Sequence, residues 1–583
     1  MSSKARRKSK SDFPPAQDLW QGQWWWTAIL VATIVLVYHR MWHASFIWDD
    51  NEHLVQNPCI VGPLGFKDIW TSSRAFYYPL VLTSFWVLYK LVGLNPLPFH
   101  LLNVFIHAAS AVLLWRVLRK LGARAAWLGA ALWALHPVMV QSVAWITELK
   151  NTQSCFFYLL SILFFLKTDN EKPRQRHVYL GLSLLFFAMS ITSKSATAML
   201  PAVLVLCLWW QRRSGFRWRD LTVIFPFLLI SAVASGWTVW EQRFHSGALG
   251  VEFSQTWPER LIIAGRDIWF YLSKLFWPNS LVFIYPRWNV DPTKLASFLP
   301  LLAALGGLLL LWWKRNGPLR PVFLAAAYFV LSLFPVLSFF NVYFFRYSFV
   351  SDHFQYLAAM GPLALIASGI AVGAAFLKKN SSELQTAIGA ALLVILTTLT
   401  WRQTRNYADA KSLYRATIEK NPNCWLAYNN LGAISFQEQR WDEAISCYEK
   451  ARAIEPYPIP ETLHNLGNSF FAKNDFAQAI GVYQAALRAR PDDIKARNNL
   501  AISLIATGNI NQAIEQFAEA LRFDSNDPDT HYNLGLLFIQ LGRPEEALAH
   551  LTEAVRLKPD YEKAKQKLRA LGVSVLPRGL QDQ

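Results

Sequence analysis

Long apolar blocks fill the first four hundred positions of this chain, and a shorter, regular alternation follows them. The blocks lie near 23–42, 100–118, 123–142, 152–167, 177–193, 196–211, 221–240, 297–313, 321–340, 355–376 and 384–401. Each is close to the length that crosses hydrocarbon, about 20 mostly apolar residues. Two further runs, 77–93 and 261–277, carry Lys90 in one and Arg266, Asp267 and Lys274 in the other, beside Trp and Tyr. That mixture suits helices lying in a membrane interface. The pattern predicts an all-α polytopic bundle of about 11 spans, one per block, with two interfacial helices.

Past residue 401 the period changes to about 34 residues. Leu431-Gly432, Leu466-Gly467, Leu500-Ala501 and Leu534-Gly535 recur at steps of 35, 34 and 34. Ala444, Ala479, Ala513 and Ala547 follow each at the same offset, and Pro456, Pro491 and Pro559 close three units. Small residues at these places let two antiparallel helices approach, which is the tetratricopeptide (TPR) pattern. Units are expected near 425–458, 460–493, 494–527 and 528–561, within a 402–572 solenoid. A leading half-unit at 402–422, a closing helix at 562–572 and a tail at 573–583 complete it. Such a stack buries a continuous core. Asn430, Asn465, Asn499 and Asn533 fall on the inner helices, where a groove would hold a peptide or protein partner.

Charge sets the topology. Residues 401–583 hold 22 basic and 22 acidic side chains, so the excess of 57 over 39 belongs to the apolar part. There it clusters in short loops around Arg116, Arg174, Arg212, Lys314 and Lys378. This is the positive-inside pattern, and it removes the case for nucleic acid as partner. The basic stretch in residues 1–22 places the N-terminus in the cytoplasm, as an uncleaved anchor at an inner or endoplasmic-reticulum membrane. With 11 spans the repeats are periplasmic or lumenal. If 77–93 and 261–277 both span, parity is unchanged. Five cysteines without a CxxC pair give neither a metal knuckle nor a disulfide framework.

The outward loops then share one face and a set of polar groups. The first, 43–99, contains Phe46-Ile47-Trp48-Asp49-Asp50 and Arg74. Others supply Glu148 and Lys150, Lys194, and Arg346 with Asp352; His100 and His107 sit near helix ends. A carboxylate such as Asp49, with Asp50 as its partner, can take a proton from a hydroxyl nucleophile. Cations at a dry boundary can stabilise a departing phosphate, and the fork of Arg346 suits that task. Two adjacent carboxylates raise one another's pKa. No metal ligand set and no firm cofactor can be read, although a divalent ion bridging the pair is an alternative.

Several patches in order carry a resemblance. They are Phe46–Asp50, Pro79-Leu80, Phe99-His100 through Asn103 to His107, His136-Pro137, Glu148 to Asn151, Ser193-Lys194 and Arg346 to Tyr356. With the repeats they make the chain similar to the transmembrane-and-TPR-containing O-mannosyltransferases, within the GT-C glycosyltransferases, as a prokaryotic relative. Two positions depart from the family pattern: Ser195, where an acidic residue often follows the lysine, and His353, where an arginine often follows the aspartate. The resemblance implies a polyprenyl-phosphate-linked sugar donor, a hydroxyl acceptor such as protein Ser/Thr, and inverting transfer on the non-cytoplasmic face. It casts Asp49 as base. A membrane-anchored TPR scaffold and a transporter or ligase of lipid-linked glycans are the rival readings.

Overall fold

A computed structural model describes residues 24–72, 78–168, 172–212, 218–245, 248, 250–377, 381–454 and 459–572. Among these the regular structure is helical, without strands. The chain forms two compact units, Met1–Asn421 and Pro422–Gln583.

In the first unit every apolar run is helical. Five helices are long and apolar enough to cross a membrane: Pro96–Lys120, Asp220–Phe244, Leu295–Trp313, Met360–Leu377 and Ser382–Tyr407. Ala126–Ala134 and Pro137–Ala144 pass the same test together but meet at 52°. Length and composition thus support five crossings, or six with the bent pair. The other expected runs are shorter or more polar. Trp24–Val37, Ser195–Gln211 and Arg320–Val336 are apolar but short. Leu149–Phe165 begins with the polar string Lys150-Asn151-Thr152-Gln153-Ser154. The two interfacial candidates form Pro79–Val92 and Trp257–Phe276.

The bend has a sequence cause. Proline lacks an N–H and restricts the residue before it, so His136-Pro137 ends the first helix. Every residue of Ala126–Ala134 is buried, as expected of a helix apolar on all sides at the centre of a bundle. The break turns the chain into the segment 145–151, which carries Glu148 and Lys150. That segment is held by Asn103, whose Nδ2 donates to the Trp145 and Ile146 carbonyls at 3.0 and 3.3 Å. The first long loop packs on it through Leu54, Ile60, Tyr78, Val81 and Phe85, in one cluster with Ile146 and Leu149.

The helix Ala410–Lys420, expected to lead the repeats, packs within the first unit. Lys420 Nζ and Asn421 Nδ2 donate to the carbonyls of Leu281 and Ile284, at 2.8 and 3.1 Å.

The second unit contains four helix pairs, Trp425–Gln437 with Trp441–Ile454 through Pro528–Gln540 with Pro544–Leu557, closed by Glu562–Ala570. Ala444, Ala479, Ala513 and Ala547 are fully buried. Gly467 shows why the small position matters: a Cβ there would meet the Tyr483 ring at 2.5 Å.

Candidate functional site

The chemistry converges on a cavity of about 810 Å³ in the first unit. Its polar wall holds Asp49, Glu52, Glu148, Lys150, Lys194 and His353. Its apolar wall includes Ala196, Met199, Val239, Phe334, Val336 and Phe340. The groups come from distant segments that local structure brings together.

Asp49 and Asp50 have divergent surroundings. Asp50 is fully buried. Its Oδ2 accepts from Ile47 N at 2.9 Å, and its Oδ1 accepts from Thr147 N at 2.8 Å and from Thr147 Oγ1. Asp50 thereby ties the first loop to the segment that carries Glu148, and Asp49 is the member of the pair on the cavity wall. Trp48 sets the turn that leads into them. Its φ of 42° is left-handed, a costly region for a bulky residue. An aromatic cage holds it there: Trp145 stacks at 5.3 Å, and Phe283, Phe344 and Tyr347 meet it edgewise at 5.1, 6.2 and 5.7 Å.

Glu148 organises the cations. Its two oxygens lie 3.3 Å from Lys150 Nζ and 3.4 Å from Lys194 Nζ, and Asn151 Nδ2 donates to it as well. Burial alone would raise the Glu148 pKa, but Lys194 first, then His353 and Lys150, outweigh it and hold the carboxyl at about 2. Lys194 is lowered to about 8, by burial first, with Glu148 opposing. Lys150 also lies 5.3 Å from the Tyr78 ring centre and 5.7 Å from that of Trp145. Tyr78 in turn meets His53 Nδ1 at 2.9 Å. Asp49 is raised to about 7, chiefly by burial; Lys150 opposes this, and Glu52, Asp50 and Glu148 add to it.

Other residues expected at the site lie elsewhere. Arg346 is not on the cavity wall. In the turn Tyr343–Arg346, Tyr343 and Phe344 reach the cavity, whereas Arg346 Nε lies 3.5 Å from Glu252 and its Nη1 donates to Tyr343 Oη at 3.4 Å. Asp352 is buried off the wall and accepts from Tyr285 Oη at 2.9 Å. Asp352 and His353 are successive residues of the 3-10 turn Asp352–Gln355, which sets their side chains about 120° apart around it, and His353 takes the wall position instead. His107 is a packing residue, with Nδ1 2.6 Å from Tyr356 Oη and Nε2 2.9 Å from Ala134 O. His100 is fully buried and off the wall. Arg74 lies outside the described residues. Thr147, the anchor of Asp50, is the residue that sequence reasoning missed; Glu52 and His353 lie on the outward loops, where the sequence alone assigns them no role.

In the repeats, Asn430, Asn465, Asn499 and Asn533 are half-buried, and Asn499 Nδ2 donates to Asn468 at 2.9 Å. Their neighbours Asn429 and Asn498 accept from Thr462 and Thr530 across successive repeats, at 3.0 and 2.9 Å. Among the described residues no group of three or more His, Cys, Asp or Glu is arranged to hold a metal ion.

Breaking the Asp50 anchor gives a stability test. In Asp50→Asn one oxygen becomes an NH₂ that faces a backbone donor. A buried donor left unsatisfied costs about 1–3 kcal/mol. The melting temperature of the detergent-purified variant should fall, while a Thr71→Ala control on the exposed side of the loop should not shift it.

Comparison with known proteins follows the same division. Residues 464–528, 498–562 and 426–492 match tetratricopeptide repeat families. Over longer stretches the chain is homologous to protein O-mannosyl-transferases. It is 21% identical over 530 residues to mouse Protein O-mannosyl-transferase TMTC3, covering 80% of this chain and 55% of that one. It is 23% identical over 505 residues to human Protein O-mannosyl-transferase TMTC1, covering 76% and 56%. Human Protein O-mannosyl-transferase TMTC4 is 27% identical over 234 residues, covering 35% and 30%. The chain thus spans about half the length, or less, of these relatives. Among solved structures, YrrB, described as a TPR protein with an unusual peptide-binding site, covers 32% of this chain and 91% of its own at 23% identity, with a TM-score of 0.25.

Proposed function

We propose that this homologue of the protein O-mannosyl-transferases is a membrane glycosyltransferase. It moves a mannosyl or similar hexosyl group from a polyprenyl-phosphate donor to a hydroxyl, on protein Ser or Thr. The reaction proceeds on the non-cytoplasmic face, and the TPR unit binds the acceptor or a partner. The observation that carries this reading is the juxtaposition of Asp49 with the Glu148-held lysine pair on one cavity that is also lined by apolar side chains such as Met199, Val239, Phe334 and Phe340.

Each part has a task. An uncharged hydroxyl is a poor nucleophile, and Asp49 takes its proton as the new C–O bond forms. The lipid phosphate leaves without protonation, so its charge needs cations already in place. Lys150 and Lys194 supply them from largely buried positions, where electrostatic interactions are stronger than in bulk water. The apolar wall receives the first part of the lipid. Inversion follows from a single displacement. The scaffold and transporter readings leave Asp49 without a task.

The reading has a pH signature. Asp49 acts only when ionised, and enclosure raises it to about 7. The turnover rate should therefore fall as pH drops through about 7, with the slope of a single proton. The neutral form of Lys194, lowered to about 8, should bring activity down on the alkaline side. Initial rates of the purified protein between pH 5 and 9 check both limbs. A flat profile over that range would oppose the assignment of Asp49 as base. The reading as a whole is tested by transfer from a panel of polyprenyl-phosphate sugars to a Ser/Thr peptide.

A further inference from the structure

His353 lies on the cavity wall, and its hydrogen bonds fix which ring nitrogen carries the proton. The backbone N–H of His353 can only donate, and it reaches Gln141 Oε1 at 3.1 Å. That amide atom is therefore the oxygen. Ser351 Oγ also lies 3.1 Å from it, so the single serine O–H points at Gln141. The Ser351 oxygen then has only lone pairs to offer His353 Nδ1, 2.8 Å away. Nδ1 must be the protonated nitrogen and Nε2 the bare one. Nε2 has no hydrogen-bond partner among the described residues.

The ring is also held rigidly. Trp145, Phe344 and Phe354 meet it edgewise at 5.9, 5.3 and 4.4 Å. Asn151 Nδ2 fixes the His353 carbonyl at 3.0 Å, and the same nitrogen donates to Glu148. The imidazole is thus indexed to the carboxylate that organises the lysine pair. Burial first, then the two lysines, keep it neutral, its pKa lowered to about 3 with Glu148 opposing. A group so hard to protonate does not shuttle protons. It is a fixed, neutral acceptor, and its natural complement is an O–H.

We propose that His353 is a sugar-specificity residue: its Nε2 accepts a hydrogen bond from one hydroxyl of the hexose carried by the lipid phosphate. The inference rests on the transfer reading above, which puts the donor phosphate at Lys150 and Lys194. The hexose attached to that phosphate is the part of the substrate within reach of a neighbouring wall.

The test uses the full-length purified chain with mannosyl polyprenyl phosphates, each lacking one hydroxyl or bearing fluorine in its place. Fluorine cannot donate. The unaltered chain should lose roughly tenfold or more in kcat/KM at one hydroxyl position, as expected when a site built to pair with an O–H meets an analogue without it. His353→Phe keeps a flat ring but no acceptor. It should lose a similar factor on the complete sugar and show no further loss at that position. His353→Gln, with an acceptor oxygen, should recover part of the preference. His353→Ala carries the same comparison if the phenylalanine variant does not fold. An unchanged preference in the variants, or no preferred hydroxyl in the unaltered chain, overturns the inference while leaving the transfer reading intact. Absence of transfer from every donor overturns both.

Discussion

Asp49→Asn should abolish turnover while the protein remains folded. An amide cannot take the acceptor proton, and loss of a general base costs about 10²- to 10⁴-fold in rate. The change is nearly isosteric, and Asp49 does not share the anchoring hydrogen bonds of Asp50. Membrane abundance and melting temperature should therefore match the unaltered chain. Donor KM should change little, because the lysine pair is untouched. The neighbouring variant Asp50→Asn makes the contrast: it should lower the melting temperature first, and rate through loss of the folded form. Equal, fully active behaviour of Asp49→Asn in a peptide transfer assay would return the chain to the scaffold reading.

The second large effect concerns Lys194. Removing a preorganised charge that meets a developing anion costs about 10²- to 10³-fold in kcat. Lys194→Ala alone has an ambiguity, because Glu148 is buried and would lose one of its two cations. Breaking a buried pair in that way costs about 3–5 kcal/mol of stability. The double variant Glu148→Gln with Lys194→Ala separates the two contributions. It removes the stranded carboxylate, so melting temperature should recover substantially. Turnover should not recover, because the phosphate still lacks its cation. Recovery of both together would make the lysine a structural partner of Glu148 only.

Much of this architecture was legible in the sequence, for physical reasons that differ by segment. The repeats are legible because a residue such as Gly467 must lie under Tyr483 in every unit, and that need imposes a period. Apolar runs mark helices as well, but of the 11 expected spans only five, or six with the bent pair, are long and apolar enough to cross a membrane among the described residues. Their lengths were harder to read, because a break such as His136-Pro137 bends a helix without altering its composition. At the site, the acidic pair stood out because adjacent carboxylates in a largely apolar chain need a reason. Which of the two faces the cavity depends on the left-handed turn at Trp48 and on Thr147, 97 positions after Asp50. No local pattern contains that. Arg346 looked the better phosphate ligand by chemistry, but Glu252, remote in sequence, engages it. The choice between Asp352 and His353 turned on how the 3-10 turn Asp352–Gln355 is rotated against the cavity.

The central claim is that one cavity joins a lipid-phosphate leaving group to an acceptor hydroxyl. Mass spectrometry of a Ser/Thr peptide incubated with the purified, reconstituted chain and a mannosyl polyprenyl phosphate tests it most directly. The peptide should gain one hexose, and an equal amount of free polyprenyl phosphate should appear. An unmodified peptide and an intact donor, across hexoses and lipid lengths, would contradict the account.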